Sequence, residues 1–177
     1  KQQDNIVSVY VNGELCGRNQ ILMNNIYNDP RFILGASHGA GLFFTGQIAD
    51  VRIYDTYLND FEIKKLSLNE TQSGPHIHYM CEEGEGTATK DLGSYGGNLT
   101  LAGTTWSSTH KVTGNSSLYF DGTNDYCEAN FEGIIGTGTI ATCKYTGNSV
   151  DRDYETIGHV YSDQNVIFFA HDSSFYY

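Results

Sequence analysis

Gly46-Gln47-Ile48-Ala49-Asp50-Val51-Arg52-Ile53-Tyr54-Asp55-Thr56-Tyr57-Leu58-Asn59-Asp60-Phe61-Glu62-Ile63 decides the fold of this chain. Alternation over 47–54 predicts a long strand with Ala49, Val51 and Ile53 on one face and Ile48, Asp50, Arg52 and Tyr54 on the other. Asn59 followed three residues on by Glu62 is a capping-box pattern, so a short helix of about two turns is expected through Leu66. It ends near residue 66 of 177, and more strand-like sequence follows it than precedes it.

Upstream, Val7, Val9 and Val11 alternate with polar or amphipathic residues, Asn12-Gly13 supplies a type I′ turn, and Glu14-Leu15-Cys16 returns as the second strand of a hairpin. Residues 17–30 are polar and Asn-rich, a loop, before Phe32-Ile33-Leu34-Gly35 resumes an apolar strand. Downstream, 67–75 has linker composition with a Gly-Pro stop. Ile77, Tyr79 and Cys81 then alternate with His76, His78 and Met80 and run into the turn-rich Glu82-Glu83-Gly84-Glu85-Gly86. Leu99 and Leu101 mark a strand and Trp106 a buried anchor. Further strands are expected at 117–120, 126–129, 139–145, 156–160 and 166–171.

Composition agrees with an all-β chain: 20 Gly, 13 Tyr and 9 Phe, with no long helical periodicity. Ten Lys and Arg against 21 Asp and Glu give a net charge of -11, which repels phosphate backbones and argues against nucleic acid. No apolar run reaches the roughly 18 residues of a membrane span, so no membrane insertion is expected. Lys1 is not a natural start, which suggests a mature or excised segment. Cys16, Cys81, Cys127 and Cys143 lack zinc-ligand spacing and are disulfide candidates. Sequons at Asn69, Asn98 and Asn115 are candidate N-glycosylation sites in loops or loop edges. An even cysteine count with these sequons places the chain outside the cell or at its surface.

The motifs resemble laminin-G-like, concanavalin-A-like jelly rolls. The first half of that family commonly runs strand, acidic-Gly turn, Asp-containing loop and a Ser-Leu-x-Phe-Asp-Gly-x-x-Asp-Tyr pattern. Tyr79 to Gly86, Asp91 to Gly97 and Ser117 to Tyr126 are similar to these in order. Its second half commonly carries a Tyr-Val-Asn-Gly hairpin, a Leu-Gly strand end and a Gly-x-Ile-x-x-Val-x-Ile-Tyr closing strand. Tyr10 to Gly13, Leu34-Gly35 and Gly46 to Tyr54 are similar to those. The resemblance implies an antiparallel jelly-roll β-sandwich with one short helix after the closing strand. It divides the chain into 1–66, a C-terminal half, a linker at 67–75, and 76–177, an N-terminal half. Neither half closes a sandwich alone, and three routes complete them: a permuted domain, neighbouring copies or adjacent repeats, or a cut between tandem domains.

Candidate chemistry is sparse. Glu82, Glu83 and Glu85 could act as paired carboxylates for glycoside hydrolysis, but their Gly spacing reads as a turn. His76 and His78 share a strand face and could supply half a metal site, or simply a solvated edge. The resemblance implies a structural calcium held by Asp50 and Glu83, with Asp50 facing Arg52 or solvent as the alternative. Tyr10, Tyr54, Tyr119 and Tyr145 could stack on sugars from a sheet face, or be core. Cys127 and Cys143 could bridge one connection and Cys16 and Cys81 could tie the halves, among three possible pairings. The expectation is a non-catalytic extracellular structural or adhesion unit, glycosylated and completed by copies of itself or adjacent repeats. The alternative is a carbohydrate-binding module, possibly appended to a glycoside hydrolase.

Overall fold

The structure is a computed structural model that describes residues 6–20, 31–36, 42–68, 70, 74–111, 114–130, 139–145, 156–162 and 165–170; at 7, 9, 19, 20, 139, 140, 143–145, 156–162 and 165–170 it is described by backbone alone. Thirteen strands and one helix are seen in this part. They are β1 (Ile6–Val11), β2 (Glu14–Gln20), β3 (Arg31–Leu34), β4 (Thr45–Tyr54), α1 (Asp60–Ser67), β5 (Ile77–Tyr79), β6 (Ala88–Thr89), β7 (Leu99–Ala102), β8 (Thr105–Ser107), β9 (Ser117–Asp121), β10 (Tyr126–Asn130), β11 (Thr139–Tyr145), β12 (Thr156–Ser162) and β13 (Asn165–Ala170). A six-stranded sheet has the order β13-β12-β3-β10-β7-β6, and a five-stranded sheet has β11-β4-β9-β8 with β5 also on β4. Every ladder is antiparallel apart from one isolated bridge. This is the jelly-roll β-sandwich architecture expected from the motifs.

The two halves interleave. β3 sits between β12 and β10, and β4 sits between β11 on one edge and β5 with β9 on the other. Among the described residues, β3 and β4 form no ladder with each other. Each pairs only with strands from the far side of the linker. Within the one chain described, strands from either side of the linker pair with each other. Aromatic contacts repeat the pattern: Phe32 stacks on Tyr79 at 6.4 Å between centroids, and Phe44 meets Phe120 edge-on at 5.8 Å. The core gathers these with Ile48, Val51, Ile53, Ile77, Leu99 and Leu118, all essentially inaccessible. Burying each such side chain stabilises the fold by about 1.5–3 kcal/mol.

β4 departs from simple alternation. Ala141 lies opposite Arg52 and Cys143 opposite Ala49, so Asp50 and Val51 together face the single residue Thr142. Asp50 takes a positive φ of 56° to make this bulge. The extra residue reverses the phase of the strand. Ile48, not Ala49, joins Val51 and Ile53 in the core, each across from a core partner, Leu118, Tyr79 and Ile77 respectively. The expected face assignment therefore holds after the bulge and inverts before it.

Local signals were obeyed elsewhere. Asn12 and Gly13 turn the β1–β2 hairpin with φ of 51° and 75°, as a type I′ turn requires. Asn59 caps α1 by accepting from the Phe61 and Glu62 amides while Glu62 returns to the Asn59 amide, a complete capping box. Trp106 is half-buried instead of fully buried, because its indole N–H reaches out to the Gly86 carbonyl at 2.9 Å while its ring packs on the core edge. The hairpin joins neither sheet. It rests on α1 through Tyr10 Oη to Asp60 at 2.7 Å and through Lys64 to Glu14 and the Asn12 carbonyl.

Candidate functional site

A cluster of charged side chains lies at the bulge, where β4 exchanges one edge partner for another. β9 pairs with Thr45–Ile48 and β5 with Val51–Ile53, so the two strands lie end to end with Asp50 at the junction. Ser116, just before β9, donates to the carbonyl of Cys81, just beyond β5, at 3.0 Å and pins the two ends together. Into this junction Asp50 presents a carboxylate that is only 8% exposed. Arg52 Nε donates to Oδ1 at 2.7 Å and its Nη2 to Oδ2 at 2.6 Å, a two-pronged pair. His78 Nε2 meets Oδ1 at 2.8 Å from the neighbouring strand.

Burial alone would raise the Asp50 carboxyl, but the hydrogen bonds from His78 and Arg52 and the Arg52 charge outweigh it and hold the carboxyl below its ordinary value. The anion accepts only, so His78 Nε2 carries the proton in this pair. Arg52 is lowered by burial and raised more by Asp50, with a net rise. Burial raises the Tyr54 phenol. Its hydroxyl lies beside Arg52, yet it and Thr142 Oγ1 are buried without a hydrogen-bond partner of good geometry among the described residues. The cluster is thus a closed ion pair with two under-satisfied hydroxyls, arranged to lock a bulge.

Asp50 and Glu83, the expected calcium pair, each have other partners. Asp50 is engaged by Arg52 and His78, which places two cationic or proton-donating groups where a metal would need open oxygen sites. Glu83 instead accepts from Thr89 Oγ1 at 3.0 Å and the Lys90 amide at 2.8 Å, latching β6. Among the described residues no three His, Cys, Asp or Glu converge as metal ligands. His76 parts from His78: its Nδ1 lies 3.1 Å from Ser94 Oγ and its ring tilts against Tyr95.

Two acids that sequence reasoning did not single out as side chains do much of the turn-building. Asp91 accepts from the amides of His78 at 2.7 Å and of Gly93 and Gly96 at 2.8 Å, which organises the 91–97 loop against β5. Asp125 accepts from the Asp121 amide at 2.9 Å inside the turn before β10. The Asp-Gly-x-x-Asp spacing of 121–125 was the available signal for the second, since it sets Asp125 four residues beyond the amide it accepts from.

Cys16 is an exposed free thiol, whereas Cys81 and Cys127 are buried free thiols. The bridge from Cys16 to Cys81 is therefore absent, because one lies on the hairpin surface and the other inside the core. Burial raises the Cys81 thiol well above its usual value and pushes Cys127 up to about 12. The side chain of Cys143 lies outside the described residues, and so do Asn69 and the side chain of Tyr145. Asn98 and Asn115 are both exposed. Of the described tyrosines expected on a face, Tyr10 is tied to Asp60, Tyr54 is buried, and Tyr119 is 40% exposed on β9.

Residues 2–64 match the laminin-G-like family described as the concanavalin A-like lectin/glucanases superfamily. No curated protein and no solved structure matches the chain. In the structure, β3 and β4 of the segment similar to the concanavalin A-like lectin/glucanases superfamily lie at the centre of both sheets of the antiparallel sandwich.

Proposed function

We propose that this chain is a non-catalytic structural or adhesion module of an extracellular glycoprotein, able to complete its sandwich with neighbouring copies as well as within itself. The observation that carries the reading is the exclusive pairing of β3 and β4 with strands beyond the linker. Those ladders are the same whether the partner strands come from one chain or the next. The difference in free energy lies in the linker and in concentration, and a short linker supplies an effective concentration on the order of mM. In a tandem array the neighbours are at similar local concentration, so exchange competes. The use of the acids supports a non-catalytic reading: Asp50, Glu83, Asp91 and Asp125 each hold a cation or a backbone amide.

Arg31 and Asn130 are register partners across β3 and β10, so the variant R31C/N130C in a C16S background reports which chain supplies β10. Refolding at rising concentration and oxidising should give a ladder of cross-linked oligomers on a non-reducing gel. Monomers carrying the internal link at every concentration up to about mM would overturn the assembly reading. That result leaves the second reading, a carbohydrate-binding module, for which the exposed Tyr119 beside its register partners Thr105 and Gln47 is the supporting surface. Glycan-array binding lost in Y119A tests it.

A further inference from the structure

The sequon Asn115-Ser116-Ser117 straddles the entry to β9. Asn115 is exposed, so a glycan on its side-chain nitrogen leaves the core packing untouched. The two serines after it are 3% and 0% exposed. Ser116 Oγ donates to the Cys81 carbonyl at 3.0 Å. Ser117 Oγ has two acceptors in reach, the Thr109 carbonyl at 2.8 Å and Gln47 Oε1 at 3.1 Å, and one proton to share between them. β9 lies between β4 and β8, so freeing this hydroxyl means opening the middle of a sheet. The sequon Asn98-Leu99-Thr100 differs at the same position. Asn98 and Thr100 are both exposed, and Thr100 pairs with the two-residue edge strand β6. Asn98 Oδ1 accepts from the Asp91 amide at 3.4 Å, a bond that leaves out the nitrogen a glycan is attached to.

We infer that Asn115 is an N-glycan acceptor that folding closes, modified on the unfolded chain or not at all, whereas Asn98 is closed less tightly. The inference rests on the proposed reading of the chain as an extracellular glycoprotein and adds when the sugar is attached. The donor class is an oligosaccharide carried on a polyprenyl pyrophosphate. The Asn side-chain nitrogen bonds to the anomeric carbon and the bond from that carbon to the pyrophosphate oxygen breaks. The lipid pyrophosphate leaves with the electron pair, and one amide proton passes to a base of the transferring enzyme. Sequon chemistry needs the hydroxyl two residues on together with the amide, and Ser117 offers that hydroxyl only while it is unburied. Gln47 sits on β4, before the linker, so the lock forms when β9 docks on that strand. A glycan at Asn115 therefore records that modification preceded closure of the sandwich.

The test incubates the folded full chain with a purified oligosaccharyl transferase and its lipid-linked donor, beside two peptides spanning 95–103 and 112–120 as the unfolded reference. Site occupancy is followed by mass spectrometry. Both peptides are expected to be modified. In the folded chain Asn115 should react at least about a hundredfold more slowly than in its peptide, because a central strand opens with a free energy close to the global one. The loss at Asn98 should be smaller by about tenfold or more, since an edge opens more cheaply. An unmodified 112–120 peptide, Asn115 reacting in the folded chain at its peptide rate, or an equal loss at both sites would each overturn the inference. The chain glycosylated at Asn115 during synthesis into microsomes should fold with the urea midpoint of N115Q, and a glycoform that stays unfolded would overturn it as well. These arms read acceptor chemistry alone. The R31C/N130C ladders read the structural role, so either reading can fail without the other.

Discussion

His78 Nε2 lies 2.8 Å from Asp50 Oδ1 across the β4–β5 ladder, and that contact joins a residue before the linker to one after it. The Arg52 guanidinium on the same carboxylate makes it a three-member cluster in which one buried anion holds two neighbours. Asn tolerates positive φ nearly as well as Asp, so D50N isolates the charge from the backbone conformation. Breaking a largely buried pair by removing one partner costs about 3 kcal/mol. The expected outcome is a lowered urea midpoint for D50N with an unchanged slope.

The same carboxylate gives stability a pH dependence. Its folded value is depressed below the ordinary 3.8, so its contribution is fully present above that value and is lost as pH falls through the lower folded one. Denaturation midpoints of the native chain and D50N should differ most near neutrality and converge at pH well below 3.8. A gap that stays constant down to that pH would contradict the assignment of the charge.

Gly35 ends β3 at φ 85°, and a Cβ there would run into the ring of Phe120 on β9. G35A is expected to cost about 3 kcal/mol from strain and overpacking together. Gly74, in the linker, has nothing near the position a Cβ would take, and G74A should stay within about 0.5 kcal/mol. Thermal melts of the two variants side by side check the contrast.

Thiol reactivity should follow burial. At pH 8 iodoacetamide is expected to modify Cys16 in the folded protein and to reach Cys81 and Cys127 only on unfolding, since both are inaccessible and both thiols are raised. Mass mapping before and after denaturant reads this directly.

Much of the fold was legible because its signals are local. Asn12-Gly13 names its turn and Asn59 with Glu62 names its helix start, each through a backbone requirement that few residues meet. Which face of β4 meets the central core was not legible before Asp50, because a bulge adds one residue and leaves no mark in an apolar-polar pattern. The partner of Asp50 was half legible. Arg52 stands two positions on along the strand and was the stated alternative to calcium, whereas His78 reaches it only through a ladder that forms across the linker. Glu83 looked like a ligand because carboxylates at turns and carboxylates at metal sites share a composition. In the structure it accepts from the Lys90 amide and Thr89 Oγ1, partners that the sequence did not name.

β3 and β4 join the strands on both sides of the linker into one sandwich, which should open cooperatively. Native-state hydrogen exchange of the full chain tests it most directly. Amides of Ile33 in β3 and Ile48 and Ile53 in β4 are expected to exchange with the same opening free energy as those of Leu118 in β9 and Ala129 in β10, and D50N should lower all of them together. Rapid exchange of β3 and β4 beside a protected β9 and β10 would contradict the account.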